Sequence, residues 1–232
     1  MSLHAVVMAA GEGRRLRPLT ERWPKPVLPI DGRPVIGTLM RELVSAGFGS
    51  ATVVTGHLAE VVETLLGDGA AFGIQIDYAH QPEPLGSADA VRRALAAGAR
   101  PPLLVVAADT VFQVGAIARA AREWEASGAP GGLAVRRGGD EAKTPVKVEN
   151  GRIVAIGGER GELTAAPLWF FAESLVPAVE RVPGPPFELA AAFQGDLAAG
   201  RDIVALEIGR TRDVTRPADV MAENFPYLWK GR

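Results

Sequence analysis

The chain has 232 residues, 47% of them hydrophobic, and a formal charge of −2, enough to bury one substantial core without demanding a second independent domain. Its charges are scattered rather than gathered into a basic stripe, which argues against a nucleic-acid partner, and the lack of cysteine excludes a disulfide framework, a thiolate metal site and a cysteine nucleophile. No apolar stretch approaches the roughly 20 residues of a membrane span, and the first residues lack the layout of a secretory signal, so no membrane partner and a cytoplasmic location are expected.

In the first half, short apolar runs alternate with helical patterns, which predicts βαβ units and a parallel sheet covered on both faces. Strands are expected over residues 3–9, 51–55, 74–78 and 103–107. Pro34 opens a helix whose Val35, Ile36, Leu39, Leu43 and Val44 share one face until Gly47 ends it. Further helices are expected over 58–66, 88–97 and from Gly115 to Ser127. The second half is more broken, with strands at 132–136, Val146–Glu149, 153–156, 168–171 and Ile203–Glu207, helices at 173–179 and 188–198, and a last helix opened by Pro217. There is no internal repeat, and in particular no hexapeptide array that would build a C-terminal β-helix.

The segment Met8-Ala9-Ala10-Gly11-Glu12-Gly13-Arg14-Arg15-Leu16-Arg17-Pro18-Leu19-Thr20 leaves the first strand and runs on through Trp23-Pro24-Lys25-Pro26. Two glycines let backbone N–H groups turn toward one point, while Arg15 and Lys25 bring positive charge to the same mouth, as a triphosphate requires. Neither familiar phosphate loop fits. The dinucleotide fingerprint needs a third glycine where Leu16 stands and an acid where Thr55-Gly56 stand, and the P-loop needs a Gly-Lys pair that occurs nowhere. The plainer use of the segment is an ordinary βα loop with surface arginines.

This run, followed by Pro-Lys-Pro, resembles the signature of the sugar-1-phosphate nucleotidyltransferase family, to which glucose-1-phosphate thymidylyltransferase and mannose-1-phosphate guanylyltransferase belong. The resemblance implies a three-layer, Rossmann-like α/β fold with a mostly parallel sheet, of the nucleotide-diphospho-sugar transferase (GT-A-like) type. It implies one domain over 1–232, with a nucleotide-binding half (1–110) and a sugar-phosphate-binding half (111–232). Ala10, Gly11 and Gly13 would then line the nucleotide, Arg15 would hold the departing pyrophosphate and Lys25 the α-phosphate region. The substrates implied are a nucleoside triphosphate and a sugar 1-phosphate.

Gln81-Pro82-Glu83-Pro84-Leu85-Gly86-Ser87-Ala88 follows the third strand and so sits at the carboxyl rim where ligands bind in such sheets. It resembles the family segment whose glutamine and glycine contact the base, which points to Gln81, Gly86 and Ser87. A glutamine amide offers an acceptor and a donor side by side, complementary to N3–H and O4 of uracil or thymine, so UTP or dTTP is expected. The plainer use is a proline-rich turn with a helix cap at Ser87.

Asp109 follows the strand at 103–107 directly, and a carboxylate there suits Mg2+ shared with phosphates. It matches the family's metal aspartate, although an aspartate in that place also serves as a helix cap. Asp213 resembles the second metal aspartate, and Asp219 reads as a first-turn acid on the helix after Pro217. For the sugar phosphate, Glu159, Arg160 and Glu188 are the candidates, with a solvated surface as their plainer use. The aromatic tail Phe225, Tyr227, Leu228 and Trp229 has two uses, packing on the domain or forming a subunit contact, and self-association is common in the family it resembles.

A sugar phosphate carries about −1.5 to −2 charge near neutrality, so its oxygen can attack the α-phosphorus without a strong base. Positioning and charge neutralisation remain. The expectation is direct in-line displacement without a covalent enzyme intermediate, with His4, His57 and His80 structural or superficial. Alternatives are a cytidylyltransferase or guanylyltransferase on another phosphate acceptor, or a catalytically silent nucleotide-binding module. Retention of Arg15, Lys25 and Asp109 together argues against the silent module. A glycosyltransferase comes last, because only Asp109 stands where such enzymes usually pair aspartates.

Overall fold

The computed structural model describes residues 3–138, 143–159 and 161–229. From the amino end the chain runs through strand β1 (His4–Met8), a loop of short 3-10 turns, the hairpin β2 (Pro29–Ile30) and β3 (Arg33–Pro34), helix α1 (Val35–Ser45), β4 (Ser50–Thr55), α2 (Ala59–Leu66), β5 (Gln75–His80), α3 (Ser87–Ala96) and β6 (Leu103–Ala107). There follow β7 (Thr110–Val111), α4 (Ala116–Ser127), β8 (Gly131–Arg137), β9 (Val146–Glu149), β10 (Arg152–Ile156) and β11 (Leu163–Phe171). The chain then passes through α5 (Val176–Arg181), α6 (Leu189–Ala198), β12 (Ile203–Glu207), β13 (Arg212–Asp213), α7 (Pro217–Asn224) and α8 (Pro226–Trp229).

Nine strands form one sheet in the order β5-β4-β1-β6-β11-β8-β12-β10-β9. The four on the β5 side are mutually parallel, β11 runs against both neighbours, and β12 is again parallel to β8. Only β11 and β10 therefore oppose the common direction. Strand alternation sorts the side chains into two cores. Ala5, Val7, Leu104 and Val106 face α1, α2 and α4, while Val6, Leu103 and Val105 face α3, α5 and α6. The sheet is the middle of three layers, as the α/β reading requires.

Two differences from expectation have clear causes. The strand expected at 168–171 begins at Leu163, and its register with β8 shifts between Ala165 and Trp169. Pro167 lies in that shift and has no N–H to give the ladder, so a bulge accommodates it. The pair β2–β3 and the pair β7–β13, each of two residues per strand, are too short to show a period. At the carboxyl tail Phe225 and Tyr227 meet edge to face at 6.2 Å and stay exposed. No helix among the described residues is long and apolar enough to cross a membrane.

Candidate active site

The loop after β1, Gly56-His57 after β4, Gln81 after β5 and Asp109 after β6 all emerge on one rim, because their strands are parallel neighbours. The loop leaves late, since the Ala9 N–H still donates to the Val54 carbonyl at 2.8 Å. His57 then staples it twice. Its backbone N–H donates to the Ala10 carbonyl at 3.3 Å, and its ring Nε2 donates to the Thr20 carbonyl at 2.7 Å. Gly13 has φ 61°, and a Cβ there would come within 2.9 Å of Thr20 Cγ2, whereas Gly11 faces open space. Leu16 is buried with Leu28, Ile30, Val35 and Val214, which ties the loop to the segment carrying Asp213.

A Cβ on Gly56 would stand 2.5 Å from the Gln81 carbonyl and 2.8 Å from Ala10 Cβ. The two sequence segments expected to hold nucleotide thus meet at this glycine. Gly56→Ala is expected to cost about 1–3 kcal/mol by overpacking and to weaken nucleotide binding, as thermal melts and nucleotide titration would show.

The loop's cations are not equivalent. Glu12 pairs with Arg14 at 2.6 Å and approaches Arg17 at 3.8 Å, and Arg14 holds the Glu12 carboxyl below its ordinary value. Arg15, exposed on the same turn, has no carboxylate partner among the described residues. Lys25, half-buried, donates to Asp109 Oδ2, and the Thr110 hydroxyl donates to the other Asp109 oxygen at 3.2 Å.

The antiparallel pair β7–β13 sets Thr110 opposite Asp213 and Val111 opposite Arg212. It therefore brings Asp213 opposite Thr110, the residue after Asp109, across more than a hundred residues of chain. Arg212 fixes β13 in place by pairing with Asp31 in the β2–β3 turn and with Glu223 on α7 at 3.0 Å. Asp219 Oδ2 accepts the Thr215 and Arg216 N–H groups at 2.8 and 2.7 Å, so it caps α7 and does not reach the site.

Lys143 donates to Asp213 Oδ2 at 2.7 Å. Burial pushes the Asp213 carboxyl up, but Lys143, Lys25 and Arg136 outweigh it and leave the pKa below the ordinary value. A depressed carboxylate contributes stability that is present above its unfolded value near 4 and fades as pH falls through the folded value. Asp213→Asn should therefore flatten the decline in stability below about pH 4, as denaturant unfolding at several pH values would read out. A slope unchanged by the substitution would contradict this.

Gln81 is buried, and its amide nitrogen donates to the Gly86 carbonyl at 3.0 Å and to Asp89 Oδ2 at 2.8 Å. Two acceptors on that side set which end of the amide is nitrogen. The donor expected to read O4 of a pyrimidine is thus turned into the protein, and the acceptor Oε1 is what remains to offer. The Ser87 hydroxyl caps α6, accepting the Leu189 N–H at 2.9 Å and donating to Glu188 at 2.5 Å. Ser87 and Glu188, expected in different halves of the site, are therefore partners of one another. Glu159 is exposed, and Arg160 lies outside the described residues.

Sequence reasoning passed over Lys143, Arg136 and Asp89. Lys143 stands in an irregular stretch with no periodicity, and Asp89 reads as a first-turn acid of α3. Together the parts form a cationic loop, two carboxylates, Asp109 and Asp213, carried by the segments that the β7–β13 pair joins, and a buried amide acceptor. That set suits a triphosphate and a hard divalent cation.

Residues 4–145 match the family model described as nucleotidyl transferase. Among relatives, N-acetylmuramate alpha-1-phosphate uridylyltransferase of Neisseria meningitidis serogroup B is 38% identical over 115 residues, 48% of this chain and 49% of that protein. The matched stretch thus spans about half of that relative's length. Two solved structures share the fold. A UDP-glucose pyrophosphorylase complexed with UDP-glucose superposes with TM-score 0.84 at 17% identity, covering 99% of this chain and 100% of that one. The inositol-1-phosphate CTP transferase from T. maritima does so with TM-score 0.81 at 20% identity, covering 94% and 92%. With its glycine loop, its base-side segment and Asp109 all inside the matched residues, this chain belongs to the nucleotidyl transferase family.

Proposed function

We propose that the chain transfers a nucleoside monophosphate, uridylyl or thymidylyl, from its triphosphate to a sugar 1-phosphate and releases pyrophosphate. The observation that supports this reading is the β7–β13 pair, in which Asp213 lies opposite Thr110, next to the Asp109 that Lys25 engages, near a loop whose Arg15 is unpaired among the described residues. An oxygen of the acceptor phosphate bonds to the α-phosphorus as the bond to the bridging oxygen breaks, and that oxygen leaves with pyrophosphate. Arg15 receives the leaving charge, and Lys25, released from Asp109, neutralises the α-phosphate. Asp109 and Asp213 would hold Mg2+, which supplies charge neutralisation along the triphosphate. No nucleophilic side chain is required. A cytoplasmic location and self-association through the exposed aromatic tail belong to the same reading.

For the base, Oε1 of Gln81 accepts N3–H of uracil or thymine, and the Gly86 N–H, bonded to no backbone carbonyl among the described residues, donates to O4. The name of the uridylyltransferase relative supports the uridine choice. The acceptor-only edge of Gln81 equally suits the 4-amino group of cytosine, which makes a CTP-using enzyme the second reading.

The test is product identification by chromatography after incubation with Mg2+, each of five nucleoside triphosphates and a panel of sugar 1-phosphates. A nucleoside-diphosphate sugar formed from UTP or dTTP is expected, and its formation from CTP alone favours the second reading. Within this assay Arg15→Ala should lower kcat/KM about 10²-fold through loss of leaving-group stabilisation, whereas Arg14→Ala, whose charge Glu12 already balances, should change it less than threefold.

A further inference from the structure

Arg136, near the end of β8, is only 7% exposed, and its guanidinium makes no hydrogen bond or ion pair among the described residues. Arginine stays protonated even when buried, so an unanswered guanidinium is a costly thing to keep in a folded protein. Its neighbour Arg137, exposed on the cleft that Arg136 also lines, is already answered there, meeting Glu162 and Glu207 at 3.1 and 2.9 Å. Asp213, on the same cleft, is already engaged by Lys143 at 2.7 Å.

Arg136 lines a cleft of about 540 Å³ together with Lys143, Arg210, Thr211 and Asp213. The Thr211 hydroxyl, on a residue only 9% exposed, is also without a hydrogen-bond partner. Two polar groups of different kinds, a guanidinium and a hydroxyl, thus both lack a hydrogen-bond partner among the described residues along the same cleft beside Asp213. Arg210, exposed at its edge, adds further positive charge. A small oxyanion satisfies all of these groups at once.

The position selects which anion. β8 lies two strands from β6 and runs in the same direction, so Arg136 is on the Asp109 rim and about 10 Å to its side, at strand spacings of about 4.8 Å. The glycine loop leaves β1, which flanks β6 on the side away from β8. We propose that this cleft holds the phosphate of the acceptor, with Arg136 as its principal ligand and the Thr211 hydroxyl as a second donor. The proposal rests on the transferase reading above and moves the acceptor's phosphate from the expected Glu159, Arg160 and Glu188 to strand β8.

The test is calorimetric titration of inorganic phosphate into the full chain saturated with a non-hydrolysable UTP analogue and Mg2+, so that the glycine loop is already filled. The wild-type chain is expected to bind phosphate. Arg136→Gln should weaken it at least 10-fold and Thr211→Val about threefold, with affinity for the analogue unchanged within twofold. In steady-state transfer, Arg136→Gln should raise KM for the acceptor at least 10-fold and leave KM for the nucleotide alone. Absence of phosphate binding to the wild-type chain overturns the proposal, as does equal binding by Arg136→Gln. Loss of analogue affinity in Arg136→Gln overturns it too, by assigning Arg136 to the triphosphate. If transfer itself is never seen, the transferase reading fails, while the phosphate titration still decides the cleft.

Discussion

Asp109→Asn is expected to lower the rate of pyrophosphate release by about 10³-fold while leaving the protein folded. Asparagine keeps the size of aspartate and keeps an oxygen for the Thr110 hydroxyl, which now donates to Asp109 Oδ1 at 3.2 Å, so thermal stability should change little. Two things are lost together. Of the two carboxylates proposed for the cation, only Asp213 is left, and Lys143 already engages it. Lys25 meanwhile loses its ion-pair partner and gains a free charge facing the loop. Metal-free nucleotide binding should accordingly hold or tighten in the variant even as turnover collapses. Turnover within tenfold of wild type would show that Asp109 is a structural partner of Lys25 alone.

Gly86→Ala carries the largest expected cost to folding. The residue has φ 111°, and a Cβ would stand 2.4 Å from the Phe187 carbonyl oxygen and 2.7 Å from its nitrogen. That contact is backbone against backbone, so no rotamer change relieves it. Phe187 is also held on both sides, donating to the Leu85 carbonyl at 2.7 Å and accepting the Ala88 N–H at 2.8 Å, with Arg92 stacked over its ring at 4.6 Å. Strained φ and overpacking each cost about 1–3 kcal/mol, so a loss of about 3 kcal/mol or more is expected in denaturant unfolding. Because the Gly86 carbonyl holds the Gln81 amide, residual folded protein should also bind nucleotide weakly. A variant as stable as wild type would mean that the 85–88 segment is free to move off Phe187.

Much of the sheet is legible in the sequence because its strands are continuous apolar runs bounded by glycine, proline or polar residues. The nine expected strand positions and the nine strands of the sheet coincide to within a few residues, except at Leu163, where Pro167 interrupts the pattern. The β2–β3 hairpin carried a signal of its own, since Asp31-Gly32 both adopt positive φ as two-residue hairpin turns require. The β7–β13 pair carried none. Two-residue strands have no period, and their partners lie a hundred residues apart.

The site is legible in a different way. Arg15, Lys25, Gln81, Asp109 and Asp213 are legible through residue chemistry and resemblance in short segments, and the fold shows where each one stands. What charges and partners do locally was out of reach. Nothing in a string of residues says that Glu12 meets Arg14 and Arg17 but not Arg15, or that Asp89 turns the Gln81 donor inward. Arg136 and Arg137 read alike until strand alternation sends one inward and the other to solvent.

Exchange of labelled pyrophosphate into nucleoside triphosphate, run with Mg2+ in the presence and absence of nucleoside-diphosphate sugar, tests the central claim most directly. Single in-line transfer between the triphosphate and an acceptor phosphate predicts that label enters the triphosphate only when the nucleoside-diphosphate sugar is supplied. Label entering without it would reveal a covalent nucleotidyl-enzyme, and no label under either condition would contradict the transferase reading itself.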